Sequence, residues 1–202
     1  MPGRRPAPNA PGAHYLTDRG LIARLVRASQ AGSGDLVLDL GAGYGALTAP
    51  LARAGARVIA IERDPRLAER LRRRFTNEPL VTVVEADLRQ VPLPRRSFLV
   101  VASPPFALTT VLCRRLLGDP ASRLAGAELI LQWGAARRLT RQQLGDTEPG
   151  RWLARYEIRL VRRVAAASFS PAPGADAAHL TVRPLERRER GERRIRREWP
   201  GS

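Results

Sequence analysis

Four polar residues stand at or just after the ends of short apolar runs, where their side chains could take part in chemistry. They are Asp39, Glu62, Asp87 and Ser103. Carboxylates accept hydrogen bonds from the hydroxyl groups of a sugar or the amino group of a base, and a serine hydroxyl can accept one from an amine. We therefore predict a site for a nucleotide-like molecule, provided that the fold brings the four side chains together.

A glycine-rich segment, GAGYGA, begins at Gly41 and precedes a helical pattern. Glycines such as Gly43 allow a sharp turn and let a ligand approach the main chain, and the amino end of the next helix favours electronegative groups. Glu62 comes 21 residues after Gly41, a position from which a carboxylate can bind both hydroxyls of a ribose. This pattern fits a nicotinamide dinucleotide or S-adenosylmethionine, and the plain alternative is that the glycines only turn the chain.

The position of Asp39 favours S-adenosylmethionine over the nicotinamide cofactor. Asp39 lies two residues before Gly41. A carboxylate so close to a pyrophosphate would repel it, whereas a cofactor with an amino-acid end and a sulfonium charge tolerates the carboxylate. Asp87 could accept a hydrogen bond from the adenine amino group of the same cofactor. An oxidoreductase is the alternative, and it predicts binding of the dinucleotide.

The segment VVASPPF, residues 100–106, ends an apolar run with a hydroxyl, two prolines and an aromatic ring. Prolines lack an N–H donor and fix φ, so the loop presents carbonyl acceptors in a rigid, extended line. Ser103 Oγ and the Pro104 carbonyl could accept the two protons of a base amine and aim its lone pair at a methyl donor. Phe106 would offer a face on which the flipped base stacks. The alternative is a proline-rich turn at the end of an edge strand.

Alternating strands and helices must position these residues. The patterns predict strands at 36–40, 57–61, 81–84, 98–102 and 128–132, helices near 18–32, 47–54, 65–75 and 109–117, and a later pair of strands at 157–164 and 179–183 joined by a stiff connector at 168–174. This order predicts an α/β fold with a doubly wound, mostly parallel sheet, whose ligands bind beyond the carboxyl ends of the strands.

Composition narrows the choice of partners and cofactors. The formal net charge is +16 and all 35 basic residues are arginine, which favours a polyanionic partner such as RNA. One cysteine, Cys113, and two histidines make a metal site unexpected. No apolar run is long enough to span a bilayer, so we expect a cytoplasmic protein without a membrane partner. We also expect the protein to be a monomer. We expect a disordered basic arm at 1–13, one domain at 14–184 and an arginine-rich tail at 185–202.

Seven segments of the chain resemble one known family in their order along the sequence. They are AHYLTD, DLGAGYGALT, VIAIERD, VVEADL, SPPF, LILQW and SFSPAPGADAAHLTV, between about residues 13 and 184. This pattern is similar to the erythromycin-resistance (Erm) ribosomal RNA adenine N6-methyltransferases and the related dimethyladenosine transferases. The resemblance implies a Rossmann-like class I methyltransferase sheet with a C-terminal antiparallel strand. It also implies S-adenosylmethionine as cofactor, 23S rRNA as substrate and resistance to macrolide antibiotics.

The resemblance assigns roles to matching residues. His14 and Leu16 would flank the cofactor, Gly41 and Glu62 would hold its methionine and ribose portions, and Asp87 its adenine. The predicted catalytic residues are Ser103, Pro104 and Phe106, and the predicted cofactor-binding residues are His14, Leu16, Asp39, Gly41, Gly43, Glu62, Arg63, Asp87, Leu88 and Ser103, with no metal ligand.

The chain departs from the family pattern at three positions. Ser103 stands where the family usually has Asn, Ala13 where it has Gln, and Gly134 where it has Glu. A serine at the first of these positions also resembles DNA cytosine-N4 methyltransferases. Family members continue beyond the resemblance into a small helical domain that helps to hold RNA. If the arm and tail of this chain replace that domain, their arginines supply an affinity for phosphate that should weaken steeply with salt. A methyltransferase with another rRNA base or DNA as its target, and a relative that binds RNA without catalysis, are the alternatives.

Overall fold

The computed structural model describes residues 13–186 and consists of nine strands and six α-helices over this range. The strands are Tyr15–Leu16 (β1), Leu36–Leu40 (β2), Arg57–Glu62 (β3), Val81–Glu85 (β4), Phe98–Ala102 (β5), Leu124–Gln132 (β6), Tyr156–Val164 (β7), Phe169–Ser170 (β8) and Ala177–Pro184 (β9). The helices are Arg19–Ser29 (α1), Thr48–Arg53 (α2), Pro65–Arg74 (α3), Thr109–Gly118 (α4), Trp133–Thr140 (α5) and Glu148–Leu153 (α6). The arm and most of the tail lie outside the described residues, so their boundaries stay predictions.

Seven strands form one sheet in the order β4-β3-β2-β5-β6-β9-β7. The pairs from β4 to β6 are parallel, and β9 is antiparallel to both of its neighbours, β6 and β7. Strand order reverses between β2 and β5, and such a switch point opens a crevice beyond the carboxyl ends of the strands. The predicted mostly parallel sheet with a C-terminal antiparallel strand is confirmed.

The central strand β2 explains why the sheet is covered on both faces. All five of its residues are buried, and its apolar side chains alternate between two core clusters, with Leu38 in one and Val37 in the other. Such a continuous apolar run is typical of a parallel strand between two helix layers. Asp18 caps α1, because its side chain accepts a hydrogen bond from the Leu21 N–H at 2.9 Å.

Two features of the fold were missing from the sequence predictions. The connector at 168–174 was expected to be merely stiff and extended, yet Phe169 and Ser170 form β8 and pair with β1 in a separate two-stranded sheet. Helices α5 and α6 follow β6 with no strand between them. Proline-rich and glycine-interrupted sequences carry little periodic signal, so tertiary pairing decides their structure.

Within residues 13–186, no helix has both the length and the apolar character needed to cross a membrane.

Candidate functional site

The glycine-rich loop packs tightly against the first strand. Gly43 has φ +54, and a Cβ built there would lie 2.8 Å from Cδ1 of the Tyr15 ring. Both the left-handed backbone and the close ring require glycine. Gly41, at φ +83, donates its N–H to the Ile61 carbonyl at 2.9 Å, which fixes the loop to the end of β3.

Glu62, the last residue of β3, joins this loop to the start of α3. Its Oε2 accepts the Gly43 N–H at 2.8 Å, and its Oε1 accepts the Asp64 N–H at 2.9 Å. Asp64 in turn caps α3 by accepting the Arg66 N–H at 2.8 Å. Each carboxylate oxygen has a second lone pair, so Glu62 can still accept two hydroxyl protons from a ligand in its fixed orientation.

Asp87, beyond the end of β4, is held by Arg89. The Arg89 main-chain N–H and Nε donate to its Oδ1 at 2.8 and 3.0 Å, and the guanidinium Nη2 donates to its Oδ2 at 2.5 Å. These hydrogen bonds lower the pKa of Asp87 to about 2. Asp87 is therefore ionised at neutral pH and acts only as an acceptor, one that a ligand amino group would share with Arg89.

Asp39 lies below the loop and away from the cavity. Its side chain is buried, and its Oδ2 accepts a hydrogen bond from Thr48 Oγ1 at 2.6 Å. Burial raises the pKa of Asp39 to about 7, with the charge of Glu62 acting in the same direction. Asp39 therefore does not line the cavity, and its bond with Thr48 fixes the start of α2. Its contact with the cofactor stays a prediction.

The loop after β5 carries a buried hydroxyl that has no partner. Ser103 Oγ is buried and makes no hydrogen bond within the described part of the chain. Pro104 is buried behind it, with its Cα 3.5 Å from the position of a Cβ built at Gly41. Since a buried polar atom without a hydrogen bond costs about 1–3 kcal/mol, Ser103 Oγ is available to bind a polar group that enters the cavity.

Aromatic side chains surround Phe106. Its ring centroid lies 6.0 Å from that of His14 and 6.0 Å from that of Phe169, the latter in an edge-to-face arrangement. His14 is fixed from behind by a 2.9 Å hydrogen bond between its Nδ1 and the Pro171 carbonyl. Pairing of β1 with β8 therefore brings together residues that are more than 150 positions apart in the sequence.

These elements enclose a cavity of ≈ 490 Å³. Seven of the predicted residues line it, and they are His14, Gly41, Glu62, Arg63, Asp87, Leu88 and Ser103. Five do not: Leu16 and Asp39 are buried in the core or below the loop, Gly43 faces the Tyr15 ring, Pro104 is buried behind Ser103, and Phe106 packs between His14 and Phe169. The structure thus brings the strand-end residues together, and the roles assigned to them stay predictions.

Sequence reasoning missed several lining residues. Among them Tyr15, Asp64, Pro65, Leu67 and Leu108 line the cavity. Tyr15 also lies edge-to-face on Tyr44 at 4.7 Å, and burial raises the pKa of its hydroxyl. The sequence signal that could have identified Tyr15 is its position next to His14. The other residues reach the cavity only because the start of α3 and the turn before α4 face it, which the sequence does not show.

No metal centre is formed by the described residues. No group of three or more His, Cys, Asp or Glu side chains within 13–186 is placed to hold an ion. Burial raises the pKa of the Cys113 thiol to about 12, so this side chain behaves as a small apolar residue.

Residues 9–192 match the model of one family, described as ribosomal RNA adenine dimethylase. The chain belongs to this family. Dimethylases of this kind are S-adenosylmethionine-dependent methyltransferases, so the predicted family, class I methyltransferase fold and cofactor class are confirmed.

Individual relatives of the dimethylase family support the same placement. An rRNA adenine N-6-methyltransferase of Bacillus licheniformis is 31% identical over 179 residues, covering 89% of this chain and 62% of its own length. The mycinamicin-resistance protein MyrB of Micromonospora griseorubida is 38% identical over 174 residues, covering 85% of this chain and 54% of its own. The chain therefore spans little more than half the length of these curated relatives.

A solved structure gives the matching comparison in three dimensions. The crystal structure of the 23S rRNA methyltransferase ErmE superposes with a TM-score of 0.77 at 29% sequence identity, covering 85% of this chain and 70% of that one. A dimethyladenosine transferase from Plasmodium falciparum superposes with a TM-score of 0.75 at 24% identity, which shows the shared fold.

Proposed function

We propose that this protein transfers the methyl group of S-adenosylmethionine to N6 of an adenine in 23S rRNA and so confers resistance to macrolide-type antibiotics. The observation that carries the proposal is the buried, unpartnered Ser103 Oγ in a cavity that Glu62 and Asp87 also line. Such a hydroxyl needs a hydrogen-bonding ligand, and an amino group is a ligand that can supply the bond.

Two carboxylates fit the polar edges of the cofactor. Glu62 is oriented by two backbone N–H groups and retains a free lone pair on each oxygen for the two ribose hydroxyls. Asp87 would accept the adenine amino group of the cofactor while sharing its charge with Arg89. Bound there, the cofactor supplies a methyl group on a positively charged sulfur.

Residues of the loop after β5 would prepare the target base. The exocyclic amine of adenine is a poor nucleophile because its lone pair is delocalised into the ring. Hydrogen bonds from its two protons to Ser103 Oγ and the Pro104 carbonyl would localise that lone pair and orient it. Phe106, which His14 and Phe169 hold in place, would stack on the flipped base. No nucleophilic side chain takes part, and the amine proton leaves to water.

The choice of 23S rRNA rests on the relatives. ErmE is a 23S rRNA methyltransferase, and MyrB is named for resistance to mycinamicin. Both match this chain over 85% of its length. These likenesses support the same substrate and the same biological outcome for the present protein.

Methylation assays on naked 23S rRNA, 16S rRNA and DNA, followed by nucleoside analysis, test the proposal. We expect label in 23S rRNA on adenine N6. Label only in DNA, or only on cytosine, would contradict the proposal. Label on cytosine would instead match the resemblance of Ser103 to the serine of DNA cytosine-N4 methyltransferases. RNA binding without binding of S-adenosylmethionine in calorimetry would instead identify a non-catalytic relative.

Primer extension on 23S rRNA from cells expressing the protein then gives the position. A dimethylated adenine blocks the Watson-Crick edge, so reverse transcription should stop one nucleotide before it. Growth of the same cells on a macrolide tests the resistance role. Unchanged sensitivity despite full methylation would support the methyltransferase activity and contradict the resistance role.

A further inference from the structure

A second cavity, of ≈ 370 Å³, lies between the carboxyl-terminal ends of α2 and α3. Three arginines, Arg53, Arg73 and Arg74, line it with one carboxylate, Glu78. The charge of the described lining is therefore positive, and the cavity shares none of its lining residues with the first. Neither the sequence motifs nor the proposed chemistry uses it.

The arginines of this cavity are oriented but keep free donors. Arg73 donates Nε to Glu69 at 2.8 Å, and its two terminal nitrogens make no hydrogen bond with the described residues. Arg74 donates Nη1 to the Tyr44 carbonyl and lies 5.2 Å over the Phe75 ring. Arg53 is exposed and makes no side-chain hydrogen bond or ion pair with any residue in 13–186. A guanidinium has five N–H donors, so each of these side chains can still bind an anion.

Further arginines connect this cavity to the first one along a single helix face. Arg66, Arg70, Arg73 and Arg74 follow one another at helical spacing on α3, and all four are exposed. Arg66 lines the first cavity, and Arg70 lies 4.9 Å over the ring of Tyr44. We call these four residues and Arg53 the arginine track; from Arg66 to Arg74 it extends about 12 Å along α3.

Helix stabilisation does not account for the arginine track. Cations in the last turn of a helix interact favourably with its dipole, which suits Arg73 and Arg74. A cation in the first turn does the opposite, yet Arg66 stands next to the Pro65 that begins α3. Glu69 is the only acidic residue of α3, so most of its positive charge is not neutralised within the helix. An external anion explains the whole set.

We propose that the arginine track binds the phosphodiester backbone of the RNA that carries the target adenine. Guanidinium forks match phosphate oxygens, and the ring of Tyr44 orients the guanidinium of Arg70 beside them. The proposal rests on the proposed function for the identity of the RNA. It assigns a separate surface, outside the cofactor cavity, to holding the strand.

A pair of matched triple variants tests the arginine track. The first replaces Arg53, Arg70 and Arg73 with Gln. The control replaces Arg95, Arg96 and Arg123 with Gln; these are exposed, have no side-chain hydrogen bond or ion pair with a described residue, and line neither cavity. Both variants lose the same charge, so a difference between them reports position and not net charge.

Binding of a 23S rRNA fragment is measured by fluorescence anisotropy over a series of salt concentrations. For the track variant we expect Kd to rise on the order of tenfold and the slope of log K against log salt to fall by about 2, near 0.7 for each lost phosphate contact. The control should retain most of the wild-type slope. Calorimetry should show that the affinity of the track variant for S-adenosylmethionine stays within about twofold of wild type, since none of the three replaced side chains lines the first cavity.

Each other outcome contradicts the proposal in a recognisable way. Equal losses in both variants would show that net charge alone attracts RNA, and the proposed function would survive. A second outcome combines two results: RNA binding of the track variant is unchanged, and inorganic phosphate raises the thermal stability of wild type but not of the track variant. This outcome would identify a site for free anions instead. Failure of the wild-type protein to bind any rRNA would overturn both the arginine track and the proposed function.

Discussion

Two regions of the sheet contain carboxylates, and they use them in opposite ways. At the carboxyl ends of β2 to β5, Glu62 keeps lone pairs free and Ser103 Oγ has no partner among residues 13–186. Between β6 and β9, Glu128 is completely buried, accepts from His179 Nε2 at 2.5 Å through Oε2, and pairs with Arg183 through Oε1. The first region leaves polar groups open for a ligand, and the second closes them within the protein.

Whether a carboxylate already has partners within the protein distinguishes ligand-binding residues from stabilising residues better than residue type does. A buried carboxylate with two cationic or hydrogen-bonding partners is already satisfied, so a ligand would gain nothing from it. Arg183 also donates to the Ala28 carbonyl at 2.8 Å and thereby ties α1 to the sheet. Glu128, His179 and Arg183 therefore stabilise the fold, whereas the open groups are those to which the proposed function gives a ligand.

The largest effect is expected for Glu128→Gln. This change leaves Arg183 without its buried counter-charge, so the free energy of unfolding should fall by about 4 kcal/mol. Urea denaturation measures the change. The control is Glu157→Gln, which breaks the exposed pair with Arg159 and should cost less than about 1 kcal/mol. Equal effects of the two substitutions would show that the buried Glu128 contributes no more to stability than an exposed carboxylate, which contradicts its stabilising role.

The buried Asp39 predicts a pH dependence of stability. Its pKa is about 7 in the folded protein because of burial, against about 3.9 in an unfolded chain. Between these values the folded state holds a proton that the unfolded state has lost, so stability falls as pH rises from about 4 to about 7 and is flat above. Asp39→Asn should abolish this loss, which is roughly 4 kcal/mol. Urea denaturation of both proteins across this range gives the difference, and parallel profiles would contradict it.

Glu62→Gln tests the open carboxylate. The amide offers one acceptor oxygen in place of two, so we expect the affinity for S-adenosylmethionine to fall about 10- to 100-fold. Calorimetry measures this affinity. Glu85→Gln, at the exposed end of the neighbouring strand β4, is the matched control and should bind the cofactor like wild type. An unchanged affinity in Glu62→Gln would place the ribose elsewhere.

The smallest effect is expected for Ser103→Asn. Asparagine offers a longer side chain with an acceptor oxygen at the same loop, so methylation should stay within about threefold of wild type or rise. Ser103→Ala removes the acceptor and should lower kcat for RNA. Complete loss of activity in the asparagine variant would show that this loop works differently from the way described above.

Much of this site could be predicted because its residues follow buried strands. The runs before Gly41, Glu62, Asp87 and Ser103 are apolar and end abruptly, and parallel strands bring their carboxyl ends to one edge. The partners of these residues could not be predicted. Nothing in the sequence shows that Thr48 rather than a ligand satisfies Asp39, or that Arg89 folds back on Asp87, since both depend on side-chain packing after the chain has folded.

Because β1 pairs with β8, the wall of the first cavity can form only late in synthesis of the chain. Tyr15 and His14 form part of the cavity wall, and their positions depend on Ser170 and Pro171, which the ribosome adds more than 150 residues later. A nascent chain can complete the sheet from β2 to β6 before these residues exist. Its cavity wall closes only when residue 171 has left the exit tunnel, so a chain arrested earlier has an incomplete cofactor cavity.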